Sequence, residues 1–391
     1  MEGDFIKLNK KLLPLSWLYG LGVGFRNLLF EMGVLKERSY PTPVISVGNI
    51  TVGGTGKTPH VEYLIRLLKG HLHVAVLSRG YKRKSKGFQK VGRDGTALQF
   101  GDEPLQIAKK FPVVTVAVDK DRVEGCHFLT HPEELQTSKK AKNCVDKAVP
   151  KAHLIVLDDA FQYRRLKADV NIVLVDYNRP VQKDKLMPWG RLRDLPSRLK
   201  AADILIVTKC PSYLDEWEKG KWAKQLGVEG YNTATCTGVR KLRKGSEKEQ
   251  KVLFTTIGYE PMVPVFPEEA DSRFMYAQRL ILFTGIAKDM PLRAYLSDSY
   301  KEVKRFSFPD HHKYTTSDIK KVAAAVKEFP TACVATTEKD AQRIVDTKKV
   351  PETLRQRLFQ VPINIQFLSK AEEEIFETTL LNRLRELRSE P

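Results

Sequence analysis

The sequence predicts an α/β protein: a mostly parallel sheet sandwiched between helices, followed by a second, smaller α/β domain. Three observations support this prediction. Short apolar runs alternate with helical periodicity through about residue 210, which is typical of βα units. A glycine-rich loop joins the first run to a helix. A basic segment followed by several prolines precedes a second set of strands. At 391 residues the chain is long enough for both domains.

The predicted strands are short runs of mainly aliphatic and β-branched residues. In chain order they occupy 44–47, 73–77, 113–118, 154–157, 171–175, 204–207, 280–284, 302–306 and 332–336, and a helix is predicted over 318–328. We place a boundary near the basic and polar segment 239–250. The expected division is a first domain over 1–231, linker strands and a smaller domain over 232–368, and a terminal helix over 369–391.

The stretch 43–69, PVISVGNITVGGTGKTPHVEYLIRLLK, is predicted to form a strand, a loop and a helix. Backbone N–H groups of a glycine-rich loop at a helix N-terminus form an anion site that suits polyphosphate. Lys57 can reach the β- and γ-phosphates, and the Thr58 hydroxyl can hold Mg²⁺. Because Thr51 occupies the first glycine position of G-x-x-x-x-G-K-[ST], the motif is a variant P-loop. The candidate nucleotide-binding residues are Gly53, Gly54, Thr55, Gly56, Lys57 and Thr58.

Two further strands lead into polar residues, at the edge where a parallel sheet binds its ligands. Asp158 and Asp159 follow the strand 154–157. A carboxylate in that place completes the Mg²⁺ site of P-loop enzymes. Arg79 and Tyr81 follow the strand 73–77, which makes them candidates for the same site.

Two other motifs carry titratable groups whose role the residues alone leave open. In GDEP, Asp102 opens a helix, where an acidic residue is either a favourable cap or a site residue. In FPDHH, a histidine such as His311 suits acid–base work or the orientation of a partner. A loop histidine without a role fits that pattern equally well.

The composition limits the environment and the partners. The formal net charge is +19, from 66 Lys and Arg against 47 Asp and Glu, which favours phosphates, anionic lipids or nucleic acid. The five cysteines include no C-x-x-C pair, which fits a reducing compartment. The basic runs lack the interleaved aromatic residues that single-strand binders use, so no nucleic-acid partner is expected.

The N-terminal segment 12–30 is rich in leucine and aromatic residues and is flanked by lysines. It is too short and too charged to span a bilayer. An interfacial amphipathic helix over about 5–35 fits this pattern, and so does an ordinary helix packed on its own domain. No cleavable signal peptide is evident.

Taken in order, these motifs resemble the tetraacyldisaccharide 4′-kinases of lipid A biosynthesis, which are membrane-associated P-loop enzymes of Gram-negative bacteria. The resemblance covers nearly the whole chain. The motifs that carry it are VGNITVGGTGKTP, SRGYKRKSKG, GDEP, LDDAFQ, PWGRLRD, FTGI, FPDHH and TEKD.

The resemblance implies a P-loop NTPase-like fold and an ATP- and Mg²⁺-dependent lipid kinase. Its expected reaction phosphorylates the 4′-hydroxyl of an acylated glucosamine disaccharide 1-phosphate to give lipid IVA. It further implies peripheral attachment to the cytoplasmic face of the inner membrane through the N-terminal helix, with no obligate protein partner. The family's two-stranded linker between the domains would fall on 232–239 and 358–367.

The resemblance also implies roles for individual residues. Asp102 would be the base toward the sugar hydroxyl, with His311 as its partner. Asp158 and Asp159 would serve Mg²⁺ and catalysis, so that the metal ligands are Thr58, Asp158 and Asp159. The candidate substrate contacts are Arg79, Tyr81, Arg122, Gln162 and Asp194.

The chain departs from the family pattern at three positions. The family's DDGxQH reads DDAFQY, with Ala160 for glycine and Tyr163 for histidine. A tyrosine donates a hydrogen bond but does not titrate near neutrality, which leaves any acid–base duty there open. Asp194 stands where the family usually has glutamate, with the same charge and a shorter reach. Segments 130–150 and 240–276 exceed the family's minimum length.

Three other functions share part of the pattern. A P-loop GTPase or metallochaperone-type switch protein would use the variant loop and Lys209. However, Cys210 and Pro211 follow Lys209, and no Asp stands at the spacing of a guanine-reading N-K-x-D loop. A nucleic-acid-binding ATPase is supported by net charge alone. A kinase of a soluble sugar would require no membrane.

Overall fold

The computed structural model describes residues 10–70, 72–242, 245–286, 288–309, 312–345, 347 and 350–389. It contains two β-sheets, one of eleven strands and one of five. The first ten strands in chain order belong to the larger sheet: β1 Val44–Gly48, β2 Val74–Ser78, β3 Gln89–Lys90, β4 Thr115–Val118, β5 Leu154–Asp158, β6 Val170–Asp176, β7 Ile204–Thr208, β8 Glu229–Asn232, β9 Thr237–Lys241 and β10 Glu247–Tyr259.

The five strands of the smaller sheet follow, and the last strand of the chain returns to the larger one. The smaller sheet contains β11 Val263–Pro264, β12 Arg279–Thr284, β13 Lys301–Ser307, β14 Cys333–Thr337 and β15 Leu358–Val361, and β16 is Ile363–Phe367. The helices are α1 Leu13–Glu31, α2 Lys57–Leu68, α3 Ala97–Phe100, α4 Asp102–Lys110, α5 Arg122–Thr130, α6 Glu216–Gln225, α7 Met290–Ser297, α8 Thr316–Glu328, α9 Glu338–Val345, α10 Glu352–Arg355 and α11 Lys370–Ser389.

The larger sheet has the order β3-β4-β2-β5-β1-β6-β7-β10-β9-β8, with β16 paired to β10. The strands from β4 to β10 in this order run parallel, and β3, β8, β9 and β16 are antiparallel to their neighbours. The carboxyl ends of the parallel strands therefore meet at one edge of the sheet. Loops that bind ligands are expected at that edge.

Helices cover both faces of the larger sheet, as the apolar composition of its strands requires. One core cluster joins the strands to α2, α4 and α11 through residues such as Leu64, Leu105 and Phe376. The clusters on the opposite face include Phe128 of α5 and Trp222 of α6. The structure thereby confirms the predicted α/β/α sandwich with a mostly parallel sheet and a second, smaller sheet.

We call the larger sheet with α1–α6 and α11 the first lobe, and the smaller sheet with α7–α10 the second lobe. The chain enters the second lobe through β10 and returns through β16, and these strands pair antiparallel from Thr255–Phe367 to Tyr259–Ile363. The sequence-based assignment of the linker to 232–239 is wrong, because those residues form the turn and the start of β9 at the edge of the larger sheet. The predicted stretch 358–367 contains one linker strand, β16, preceded by β15 of the smaller sheet.

The chain passes from the larger sheet to the smaller sheet at about residue 260, whereas the predicted domain boundary lies at 232. The segment 239–250 is not a break between domains, since β9 and β10 pair there with each other and β10 lies against β7. Its charged residues lie on the β9–β10 hairpin beside the edge strand β8, where most residues of β9 and the start of β10 remain partly exposed. At the N-terminus α1 is shorter than the predicted 5–35, and residues 1–9 lie outside the described part of the chain.

Candidate active site

The glycine-rich loop lies between the buried strand β1 and the N-terminus of α2. Gly53 and Gly56 adopt φ angles of 108° and 86°, which a residue with a Cβ rarely adopts. Gly56 is the N-cap residue of α2, so the loop N–H groups and the helix N-terminus converge at this point. Lys57 and Thr58 open the helix, as the P-loop pattern predicts.

Side chains from outside the loop hold its backbone. The Asn49 amide donates to Thr55 Oγ1 at 2.7 Å, and the Gln162 amide donates to the carbonyl of Asn49. Arg193 N–H donates to the Ile50 carbonyl at 2.7 Å, so the PWGRLRD segment lies along the loop. The structure thus places Gln162, a predicted substrate contact, against the loop itself. A bound polyphosphate would meet a loop whose shape is already fixed.

Asp159 forms the charged centre of the site. It follows β5 with a φ of 53°, and Arg193 donates to its two oxygens at 2.7 and 3.1 Å. The Lys57 ammonium lies 3.7 Å from Oδ1. Burial alone would raise the pKa of Asp159, but Lys57 and Arg193 outweigh burial and lower that pKa. Asp159 is therefore a carboxylate at neutral pH, and it orients the lysine that the sequence assigns to the phosphates.

The pKa of Asp158 is shifted in the opposite direction from that of Asp159. Burial, followed by the neighbouring Asp159 charge, raises the pKa of Asp158 to about 6. Its Oδ2 accepts a hydrogen bond from the Ser78 hydroxyl at 3.2 Å. Its Oδ1 is buried and has no hydrogen-bond partner among the described residues. An unsatisfied buried carboxylate oxygen at the end of a strand suits a cation as partner.

Thr58 and Asp158 supply oxygen donors, which Mg²⁺ prefers. Within the described ranges no three His, Cys, Asp or Glu side chains group closely enough to hold a metal ion by themselves. Mg²⁺ at phosphate-binding sites uses one or two carboxylates together with water and the substrate's phosphates, so a small donor set fits it. Asp159, the third predicted metal ligand, is engaged by two cations in the structure.

Asp102 opens α4 after Gly101, as the sequence predicts, and its carboxylate is 27% exposed. One contact of this carboxylate comes from the second lobe, where Arg343 Nη2 and Nε lie 3.0 and 3.4 Å from Oδ2. His311, the predicted partner of Asp102, lies outside the described residues. The adjacent His312 bonds to Asp318 at 3.0 Å and stacks on Phe308 with ring centroids 4.7 Å apart.

The remaining predicted substrate contacts fall into two groups. Arg79 and Tyr81 are exposed just beyond β2, at the ligand edge of the sheet. Arg122 is buried, and its Nη1 donates to the carbonyls of Asp119 and Lys120. Burial lowers the pKa of Arg122, and the nearby Asp158 charge opposes that change.

Asp194 does not fit the predicted substrate-binding role, because it is fully buried. Its Oδ1 accepts from the Asn27 amide at 2.9 Å, and its Oδ2 lies 3.7 Å from both Arg26 and Arg198. The carboxylate therefore fastens α1 to the first lobe. Tyr163, which stands where the resemblance implies a histidine, donates to Asp121 Oδ1 at 2.6 Å.

Several functional candidates were not assigned from the sequence. Arg193 contacts Asp159 and Arg343 contacts Asp102, two of the three predicted catalytic carboxylates. Arg193 belongs to the PWGRLRD motif, and Arg343 lies three residues after TEKD. Lys209 and Arg179 both donate to the Gly54 carbonyl and to Asp176, whose Oδ2 lies 2.9 Å from each cation. The sequence feature that points to Lys209 and Arg179 is their position just after β7 and β6, at the edge of the sheet where ligands bind.

This arrangement defines a P-loop phosphotransferase. It combines a preformed anion loop, a lysine beside that loop, oxygen donors for a divalent cation, and a partly exposed carboxylate where the two lobes meet. No helix in the described ranges is long and apolar enough to cross a membrane.

Comparison with known proteins identifies the family. The family described as tetraacyldisaccharide-1-P 4′-kinase matches residues 8–385. The tetraacyldisaccharide 4′-kinase of Phocaeicola vulgatus is 39% identical over 390 residues, covering 98% of each chain. That of Porphyromonas gingivalis strain W83 is 37% identical over 384 residues, covering 97% of this chain and 98% of its own. The crystal structure of the "apo" form of LpxK from Aquifex aeolicus in complex with ATP matches with a TM-score of 0.66 and 28% identity, covering 96% of this chain and 98% of that chain.

The chain belongs to the tetraacyldisaccharide 4′-kinase family. This membership confirms the predicted resemblance, the kinase function and the use of ATP. It gives no support to the alternative of a GTPase or metallochaperone-type switch protein.

Proposed function

We propose that the chain transfers the γ-phosphate of ATP to the 4′-hydroxyl of a tetraacylated glucosamine disaccharide 1-phosphate, giving lipid IVA. The observation that carries the proposal is the placement of Lys57 and Asp159 beside a preformed P-loop, in a chain of this family. Most of the acceleration would come from positioning and from stabilisation of the phosphoryl charge.

The first lobe would hold the nucleotide. Loop amides from Gly53 to Gly56 and the Lys57 ammonium would bind the β- and γ-phosphates. The contact with Asp159 at 3.7 Å fixes the direction of Lys57 before ATP arrives. Lys209 and Arg179 hold the outward carbonyl of Gly54, which leaves the loop's N–H groups to the phosphates.

Mg²⁺ would be held by Thr58 and Asp158, whose Oδ1 lacks a hydrogen-bond partner within the described ranges. When bound, Mg²⁺ neutralises charge on the β- and γ-phosphate oxygens. The raised pKa of Asp158, about 6, reflects burial and the Asp159 charge. Asp159 keeps its ion pairs with Lys57 and Arg193 and orients both cations.

Asp102 would receive the proton of the attacking 4′-hydroxyl. Its carboxylate is partly exposed at the junction of the lobes and stands at the first turn of α4. Arg79 and Tyr81 are exposed beyond the carboxyl end of β2, where they can contact the sugar or its 1-phosphate. His311 keeps its proposed role as partner of Asp102.

We also propose that α1 lies in the membrane surface at the cytoplasmic face of the inner membrane. The side of α1 that packs on the first lobe buries two polar residues and one valine: Ser16 donates to the Leu186 carbonyl at 2.8 Å, Asn27 donates to Asp194, and Val23 lies between them. The opposite side is apolar and exposed. Its residues, with exposed fractions between 43% and 71%, are Leu15, Trp17, Leu18, Leu21, Phe25 and Leu28.

A helix with its polar side inward and its apolar side outward is the reverse of an ordinary surface helix. Such a helix is suited to a membrane interface, where its apolar side can be buried among the lipids. An acceptor whose acyl chains stay in the bilayer would also require the enzyme to work at that surface. The net charge of +19 favours anionic headgroups.

The membrane proposal is tested by replacing Trp17, Leu21 and Phe25 together with Gln and measuring partition onto anionic phospholipid vesicles. The anchoring residues Ser16 and Asn27 stay in place, so the fold should be retained. Binding should fall about tenfold or more, since three large apolar side chains lose their burial. Trp217→Gln is the matched control, because Trp217 is 69% exposed on α6, and its binding should not change. Equal vesicle binding by the triple variant would contradict the proposal.

The proposed reaction is tested by incubating the purified protein with Mg²⁺-ATP and tetraacyldisaccharide 1-phosphate in detergent. The expected product carries a second phosphate on the 4′-oxygen, identified by mass spectrometry and by its phosphorus spectrum. A soluble glucosamine disaccharide 1-phosphate serves as the comparison acceptor and should react poorly. Intact ATP binding without a bisphosphorylated lipid would defeat the proposal.

A further inference from the structure

Helix α9 of the second lobe lies against helix α4 of the first lobe through a row of charged contacts. Glu338 Oε1 lies 2.8 Å from the Lys110 ammonium, and the Lys339 ammonium lies 3.7 Å from Glu103. One turn further along α9, Arg343 bonds to Asp102. The TEKD motif and the residues after it therefore face the helix that Asp102 opens.

The Arg343–Asp102 contact is largely enclosed on the side of the arginine. The Arg343 side chain is 8% exposed, and its Nη2 and Nε both reach Asp102 Oδ2. A planar guanidinium that contacts one carboxylate oxygen through two nitrogens holds that oxygen in a narrower range of positions than a single ammonium would.

Arg343 is itself held in place from the second lobe. Its Nη1 donates to Asp340 Oδ1 at 3.2 Å, and Asp340 is fully buried. Asp340 Oδ2 accepts from the Gly285 N–H at 2.9 Å and from the Thr337 hydroxyl at 2.7 Å. The glycine of FTGI and the aspartate of TEKD thus form one support for a guanidinium directed at Asp102.

We propose that Arg343 is a positioning residue for phosphoryl transfer. When the second lobe packs on the first, Arg343 contacts the Asp102 carboxylate and directs that carboxylate toward the acceptor hydroxyl. This inference rests on the proposed function of Asp102. A base that receives a proton must point at the hydroxyl, and small misplacements of a reacting group reduce rates strongly. Asp340, Thr337 and Gly285 support the guanidinium.

The test is steady-state kinetics of the full-length Arg343→Met variant with Mg²⁺-ATP and the lipid acceptor. We expect kcat to fall about 10²-fold, while KM for ATP stays within about twofold, because the P-loop belongs to the other lobe. Arg343→Lys restores a cation without the two-nitrogen contact and should give an intermediate kcat. A kcat of Arg343→Met within threefold of the unmodified protein would overturn the proposal.

Two further measurements separate positioning from a general effect on the fold. Lys339→Met removes the neighbouring contact between the lobes without touching Asp102, and its kcat should fall less than threefold. In an Asp102→Asn background, Arg343→Met should lower the residual rate less than about twofold, since two residues that act as a unit are not additive. An equal 10²-fold loss in that background, or an equal loss in Lys339→Met, would make Arg343 a structural residue only.

The same series separates this proposal from the proposed function. If Asp102→Asn alone keeps a near-normal kcat, the base assignment fails, whatever Arg343 does. If Asp102→Asn loses turnover and Arg343→Met does not, only the positioning role fails. Should Arg343→Met not fold, as judged by thermal unfolding, the Arg343→Lys variant alone decides: an unchanged kcat overturns the role, and a reduced kcat with unchanged KM for ATP supports it.

Discussion

The two lobes prepare the reaction in different ways. In the first lobe, the groups around the nucleotide loop are bonded to one another: Asp159 to Lys57 and Arg193, and Asn49 to Thr55. In the second lobe, the charged residues of α9 act through their contacts with α4 of the first lobe. The nucleotide site is therefore complete within one lobe, whereas the proposed base depends on how the lobes meet. Substitutions can therefore impair nucleotide binding or the contact between the lobes separately.

The largest effect should come from the first lobe. Lys57→Met removes the cation that faces the phosphates, and turnover should fall about 10²- to 10³-fold, as for other groups that stabilise transition-state charge. Both ATP affinity and kcat should suffer, in contrast to Arg343→Met. Lys69→Met, at the other end of α2, is the matched control and should leave turnover unchanged. A Lys57→Met turnover within threefold of the unmodified protein would contradict the assignment.

The contact between the lobes carries a buried charge cluster. Lys110 lies 2.7 Å from Glu62 and 2.8 Å from Glu338, and both carboxylates are nearly buried. Burial raises the pKa of Glu62, and Lys110 opposes that increase. Lys110→Met leaves both carboxylates without their shared cation, so the free energy of unfolding should fall by about 3 kcal/mol.

Urea unfolding measures that loss. The control is Lys304→Met, which breaks an exposed pair with Glu328 inside the second lobe and should change the free energy by less than about 1 kcal/mol. If Lys110→Met and Lys304→Met lose the same free energy, the lobes are not joined by this cluster.

His60 links the nucleotide loop to the connecting strand β10. Its Nδ1 lies 2.7 Å from the Gly56 carbonyl and its Nε2 lies 3.2 Å from Thr255 Oγ1. Burial lowers the pKa of His60 to about 4, from 6.5. The folded state therefore holds His60 neutral, while the unfolded chain takes up a proton below about pH 6.5.

The stability contributed by neutral His60 is present above pH 6.5 and is lost as the pH falls through 4. At about 1.4 kcal/mol per pKa unit the loss reaches up to about 3 kcal/mol. His60→Gln should flatten the dependence of the unfolding free energy on pH across this window. Parallel curves for the two proteins would show that His60 is not held neutral.

The smallest change in unfolding free energy and turnover should follow Tyr163→Phe, in the first lobe. Burial, then Asp121, raises the pKa of Tyr163 to about 12, so the phenol remains a donor to the residue that caps α5. Losing this bond should lower the free energy of unfolding by about 1 kcal/mol and turnover a few-fold. Tyr163→His restores a ring N–H donor at this position and should recover part of the turnover. A turnover loss near 10²-fold in Tyr163→Phe would assign the hydroxyl a catalytic role.

The sequence predicted the parts of the site that depend on local pattern. The strand-to-helix context of GTGKT and the carboxylates after β5 follow from short-range rules, and the structure has both elements in place. Arg343 could not be predicted, because its contact with Asp102 joins residues 241 positions apart and arises from the packing of α9 on α4.

Two further predictions failed because the direction of a side chain or the pairing of a strand is a tertiary property. The carboxylate of Asp194 is buried against α1, and a residue's type alone does not give that direction. The segment 239–250 has the charged, irregular pattern that predicts a boundary, but the pairing of β9 with β10 and of β10 with β7 makes it part of the larger sheet.

The division of labour between the lobes is tested most directly at Asp102. The measurement is single-turnover phosphoryl transfer by Asp102→Asn at saturating Mg²⁺-ATP, together with the Kd for ATP. We predict a rate at least about 10²-fold lower than that of the unmodified protein, with a Kd within about twofold, because the nucleotide site lies within the first lobe. A near-normal transfer rate, or a loss of ATP affinity equal to the loss of rate, would contradict the account.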